Sequence, residues 1–200
     1  MWIIGGDGND QLFGSSPFSN KPDDTMTGGG GNDTMLGGAG QDLIYGNVGL
    51  DVIYGNTGND TIFGGQGNDL LFGGQDADIV YGNLGNDVIY GNLGNDTIYG
   101  GQGDDTIYGG QGNDVISAGL GNDLLFGNLG ADTFVPGAGA VADTIGDFNS
   151  GQGDLVSLGG QSILGEFSNP GGDLVVSLSG GGWLTFSGIH QDQFSMSWFT

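Results

Sequence analysis

The sequence contains no cysteine, no arginine and no apolar run long enough to cross a membrane, and each absence removes a class of function. Without cysteine there are no disulfides, no thiolate nucleophile and no thiolate metal site. A single base, Lys21, stands against 24 acidic residues, giving a formal charge of -23. Such a chain cannot neutralise phosphates, which excludes nucleic acid and attraction to an anionic membrane. Proline is scarce, 4 residues against 48 glycines, so the glycine excess is not collagen-like. The only histidine, His190, reads as a structural or surface residue, and Ser19, Ser157 and Ser179 lack both a base and a nucleophile-elbow context. No catalytic centre is expected. Met1-Trp2-Ile3-Ile4 is too short and uncharged for an amino-terminal secretory signal.

What is abundant is glycine and aspartate; Glu166 is the one acid that is not Asp. They fall in a nine-residue repeat, G-[GN]-x-G-x-D-x-U-x with U apolar, running unbroken from Gly28 to Val135. An isolated copy spans Gly5–Phe13, residues 14–18 interrupt the period, and residues 19–27 form a degenerate copy carrying Asp24. The sixth positions are Asp10, Asp24, Asp33, Asp42, Asp51, Asp60, Asp69, Asp78, Asp87, Asp96, Asp105, Asp114, Asp123 and Asp132. The eighth positions of the strict copies are apolar throughout, from Met35 to Phe134.

The first six residues of each copy read as a turn and the last three as a short strand, with U inward and its neighbours outward. Two strands and two turns close a coil of 18 residues, so the fold class is all-β: a parallel solenoid whose strands stack about 4.8 Å apart. Copies two apart then share a side, placing Asp42 over Asp60 and Asp60 over Asp78. Alternation of Asn and Gly at the second position gives a longer period of four copies, read as duplication of a four-copy block. From Pro136 the period is lost, and residues 136–200 read as a β-rich cap with strand-like runs at Asp173–Leu178, Trp183–Phe186 and Phe194–Phe199. The expected division is 1–135 for the repeat solenoid and 136–200 for the cap.

Two inward side chains per coil make a thin core for so much glycine backbone, and aligned carboxylates repel along the stack. A divalent cation between turns reverses that repulsion. Carboxylates and backbone carbonyls are hard oxygen donors suited to Ca²⁺, which accepts six to eight oxygens in flexible geometry, whereas Mg²⁺ demands a tighter octahedron. Ala118 replaces the opening glycine of one copy, which requires a negative φ there, and Asp76 replaces a fourth-position glycine, which predicts altered affinity at that copy.

The blocks Gly-Gly-Gln-Gly-Asn-Asp-Leu-Leu-Phe (64–72) and Gly-Asn-Leu-Gly-Asn-Asp-Thr-Ile-Tyr (91–99) resemble the calcium-binding nonapeptide repeats of RTX (repeats-in-toxin) proteins. The resemblance covers residues 5–13 and 28–135 strictly and 19–27 loosely. It implies a parallel β-roll with Ca²⁺ between turns, on the order of ten ions, folding after export by type I secretion machinery. It also implies an uncleaved carboxy-terminal signal within 136–200. The segment through Asp143, Asp147-Phe148 and Asp154 resembles that family's calcium-dependent closing region, which adds those three aspartates to the candidate ligands.

The functional expectation is therefore a secreted, calcium-driven folding module, free of nucleic acid and not inserted in membrane. The alternative is a calcium-stabilised surface module binding a cell-surface glycan or protein through aromatic ninth positions, Tyr45, Phe63, Tyr81 and Tyr99 on one side and Tyr54, Phe72, Tyr90, Tyr108 and Phe126 on the other. Leu84, Leu93, Leu120 and Leu129 on the turns add apolar surface. Ice binding wants a threonine row on the turns, and only Thr57 occupies the third position of a strict copy.

Overall fold

The computed structural model describes residues 1–15, 23–137 and 142–200. Most of the 14–18 interruption and the start of the degenerate copy, with Ser19 and Lys21, lie outside the described residues. Twelve six-residue strands, Thr25–Gly30 through Leu124–Leu129, alternate between two sheets, so consecutive strands never pair with each other. Each strand pairs in parallel with the strand 18 residues away, as in Val88↔Thr106 and Tyr90↔Tyr108. This is the expected β-roll. The eighth-position side chains Met35, Ile44, Ile53 and their successors through Phe134 are fully buried between the sheets, and Met26 joins them from the degenerate copy.

The strands are twice as long as the sequence suggested. Each takes in positions seven to nine of one copy and one to three of the next, as Val52–Thr57 does. The ladder skips the opening glycine and resumes one residue later: Tyr54↔Phe72 is followed by Asn56↔Gly74. The skipped glycine turns inward, and the second position takes a positive φ, +78° at Asn47 and +122° at Gly65. Glycine and asparagine are the residues that accept such a φ most readily, which is why both occur there. In the eleven-stranded sheet the second positions run Gly38, Asn56, Gly74, Asn92, Gly110, Asn128, one per coil. A Cβ on Gly74 would stand 2.8 Å from the Cα of Asn56, so in that backbone position a side chain would crowd the preceding coil.

Beyond the repeats both sheets run on without a break. Thr133–Val135 pairs with Leu155–Val156, and Leu124–Leu129 with Ala142–Ile145, which pairs in parallel with Trp183–Phe186. Leu174–Leu178 then joins antiparallel, and Ile163–Ser168 forms the edge. Phe148, Phe186 and Trp198 close the core in tilted and edge-on ring contacts. The run Phe194–Phe199 is not a strand: it follows a short 3-10 turn at Gln191–Gln193 and itself forms another, Met196–Trp198, capped by the Ser195 side chain accepting from the Ser197 amide. Its apparent alternation breaks at Met196, which is exposed while Trp198 is buried. The edge strand Ile163–Ser168 went unread because its glycine and solvent-facing residues show no alternation.

Candidate metal centre

The repeated aspartates are buried, 1–2 % exposed from Asp24 to Asp132. A carboxylate in that position costs several kcal/mol unless its oxygens find partners. One oxygen does. From Asp33 onward, Oδ1 of each accepts the backbone amide of the aspartate one coil earlier, as in Asp42 N to Asp60 Oδ1 at 2.7 Å and Asp60 N to Asp78 Oδ1 at 2.7 Å. The result is two continuous columns of carboxylates along the roll, one for each turn of the coil, with Asp42 over Asp60 over Asp78 as expected.

The second oxygen has no hydrogen-bond partner in thirteen of these residues: Asp10, Asp33, Asp42, Asp51, Asp60, Asp69, Asp78, Asp87, Asp96, Asp105, Asp114, Asp123 and Asp132. Except at Asp123, whose copy opens with Ala118, each such Oδ2 faces the opening glycine of its own copy. A Cβ on Gly64 would lie 2.5 Å from Asp69 Oδ2 and 2.9 Å from the carbonyl oxygen of Gly82 in the next coil. On Gly73 it would lie 2.6 Å from Asp78 Oδ2 and 2.9 Å from Gly91 O. Two hard oxygens, one anionic and one from a carbonyl, border a space that only a missing side chain keeps open. The opening glycines are therefore required for room, because none of them has a positive φ from Gly28 onward.

The field in the columns reflects this. Burial, reinforced by the neighbouring aspartates, pushes the Asp78 carboxyl up to about 8 and those of Asp60 and Asp69 up to about 7. Burial likewise raises Asp96, Asp105 and Asp114 to about 6. Amides donated to Oδ1 oppose the shift and do not cancel it. Among the described residues no three His, Cys, Asp or Glu side chains converge on one point. A cation here would take its other donors from backbone carbonyls, as calcium does and as zinc rarely does. The donor set fits Ca²⁺.

Four candidates stand apart, at the ends of the columns. Asp24 has both oxygens occupied, Oδ1 by the Met1 ammonium at 2.7 Å and Oδ2 by the Ser15 hydroxyl at 2.6 Å. Burial pushes its carboxyl up, but these two partners outweigh it and hold the group below the usual range. Asp143 takes the Asp123 amide at 3.2 Å and the Gly137 amide at 2.8 Å; Asp154 takes those of Asp132 and Asn149. Asp147 accepts from the amides of Gly127 and Asn128. Asp76 keeps the fourth-position backbone at φ +75° and raises the carboxyls of Asp60 and Asp78 through its charge.

The fifth position carries a role that the sequence reading missed. Asn68 Oδ1 accepts the Asn86 amide at 2.8 Å, and Asn95 Oδ1 accepts that of Asn113 at 2.7 Å. These bonds reach forward one coil, while the aspartate bonds reach back, so adjacent coils are clamped from both sides. The recurrent Asn-Asp pair was the available signal. The aromatic ninth positions stack face to face along each sheet, with centroids 4.7–5.1 Å apart. Their faces are spent on one another, and Phe126 packs over Gly146, where a Cβ would run into its ring. Ring edges, rather than faces, meet solvent along the rows.

A family model described as the RTX calcium-binding nonapeptide repeat (4 copies) matches residues 2–16, 23–53, 45–80, 72–107, 81–116 and 108–140, well over half of the chain. No curated protein matches it. Among solved structures, the extracellular lipase LipA from Serratia marcescens is similar at 16 % identity and a TM-score of 0.35, over 91 % of this chain and 40 % of the lipase. The chain thus spans less than half the length of that enzyme.

Proposed function

Because the chain belongs to the family of RTX calcium-binding nonapeptide repeat proteins, we propose that the two carboxylate columns hold calcium through their unpartnered Oδ2 atoms and that this binding drives folding outside the cell. The observation that carries the reading is the set of thirteen buried aspartate oxygens without a donor, twelve of them beside a space kept open by glycine. Bound calcium would supply positive charge between successive turns, and the carbonyls of the opening glycines would share in holding it. The chain's own part is to align the carboxylates with amide bonds from the neighbouring coil and to exclude competing water behind the eighth-position core.

Binding free energy in such a system is folding free energy, because the unfolded chain offers no preformed site. Extracellular calcium, about millimolar, lies in the range where modules of this kind are loaded. The repeat region is a structural module and not a catalytic one. Residues 136–200 close the stack and are the place for a carboxy-terminal signal read by type I secretion machinery. Glycan or protein binding through open aromatic faces is less well supported, since those faces are stacked on each other. Calorimetric titration of the chelator-treated chain tests the proposal: Ca²⁺ should bind at several sites with proton release near pH 7, and Mg²⁺ should not replace it. Equal uptake of Mg²⁺, or no uptake of Ca²⁺, would overturn it.

A further inference from the structure

Every copy in the unbroken run opens with glycine except one, which opens with Ala118. Ala118 lies in the coil directly over Gly100: Tyr99 pairs with Ser117 on one side of it and Gly101 with Gly119 on the other. A Cβ on Gly100 would stand 2.5 Å from Asp105 Oδ2, against the carbonyl oxygen of Ala118. In the next coil that Cβ exists. The Ala118 methyl is fully buried, and the repeat register puts it where other copies have an open glycine beside their aspartate, here Asp123, whose Oδ2 has no hydrogen-bond partner.

Two further features fall at the same coil. The ring column of this sheet stops there, because Tyr99 faces Ser117 instead of another ring, and Tyr99 is 39 % exposed. The next carboxylate of the column, Asp143, has both oxygens satisfied by backbone amides. The opposite column ends alike at Asp154 but differs in the opening residue, because Gly127 still leaves room beside Asp132.

We propose that Ala118 is a stopper that closes the cation space at Asp123, so the column running through Asp33, Asp51, Asp69, Asp87 and Asp105 ends one coil before its opposite number. The joint between the roll and its closing strands is then held on this side by the buried Ile116, Leu125 and Phe134 and by amide bonds, without an ion. The inference rests on the calcium reading of the columns, and its test separates the two.

Native mass spectrometry of the whole chain in calcium counts bound ions. Ala118→Gly should gain one ion, Asp123→Asn should leave the count unchanged, and Gly100→Ala, which installs the same methyl one coil earlier, should lose one. The first two substitutions preserve the fold: the asparagine keeps the Oδ1 acceptor for the Asp105 amide, 2.8 Å away. Either an Ala118→Gly chain with no added ion or an Asp123→Asn chain that loses one would overturn the stopper. A wild-type chain that binds no calcium would instead overturn the reading of the columns themselves.

Discussion

Replacing Asp78 by asparagine should stabilise the protein without calcium and weaken it with calcium, a reversal of sign that no purely structural role for the residue produces. Asp78 sits in mid-column, accepting the Asp60 amide at 2.7 Å and donating its own amide to Asp96 Oδ1 at 2.8 Å. Asparagine preserves both bonds and removes the charge. Burial, with Asp60, Asp96 and Asp76 nearby, raises the folded carboxyl to about 8 from 3.8. For a carboxyl raised on folding the penalty is absent below the unfolded value, grows as pH rises, and levels off above the folded value. At pH 7 it amounts to about 4 kcal/mol, roughly three pH units at 1.36 kcal/mol each. Asp78→Asn should therefore raise metal-free stability by up to about 4 kcal/mol at pH 7 and by nothing near pH 4. With calcium the same change removes an anionic donor worth roughly 1.5–3 kcal/mol, shifting the calcium midpoint upward by at least about tenfold. Folding of the chelator-treated chain by an excluded osmolyte across this pH range, followed by circular dichroism and paired with calcium titrations, reads both effects. A variant less stable than wild type in chelator at pH 7, or one with an unmoved calcium midpoint, would refute the reasoning.

The same linkage predicts that the chelator-treated chain gains β-structure as pH falls from 8 to 5, through the raised values of Asp60, Asp69, Asp87 and Asp123 near 7; a flat circular dichroism signal over that interval would contradict it. Gly64→Ala should cost about 1–3 kcal/mol by crowding Asp69 Oδ2 and Gly82 O, and should weaken calcium binding in equal-concentration titrations. Tyr81→Ala loses stacking on both Phe63 and Tyr99, Tyr45→Ala only on Phe63. In saturating calcium the first should therefore be the more destabilising by about 0.5–1.5 kcal/mol in thermal melts, and equal melting temperatures would argue against ring stacking as a source of stability. Asn68→Ala removes the acceptor of the Asn86 amide and should cost about 1 kcal/mol, read by hydrogen exchange at Asn86.

The period-nine pattern carried the coil, its two faces and the stacking of aspartates, because one apolar position in nine leaves few ways to bury the chain. Its glycines were harder to read. Gly64 and Gly65 look alike in sequence, yet the first is needed for the oxygens beside it and the second for its positive φ. Only neighbours 18 residues away separate these roles. Asn at the fifth position recurs in the repeat without an assigned role in sequence, and in the structure it is an inter-coil clamp. At the columns' ends, Asp143 and Asp154 share the buried carboxylates of the repeat, but amides from Gly137 and Asn149 take the oxygen that is unpartnered elsewhere. Those donors lie outside any repeat register. In the closing segment Phe194 to Phe199 alternated like a strand, while the chain turns at Ser195 to bring Trp198 onto Phe148 and Phe186.

On this reading the fold is conditional on cations in the two columns. Small-angle scattering of the whole chain at pH 7.5 and low ionic strength, titrated from chelator to millimolar calcium, tests it most directly. An expanded chain should collapse steeply into an elongated rod over a narrow calcium range. A rod already present in chelator would contradict it.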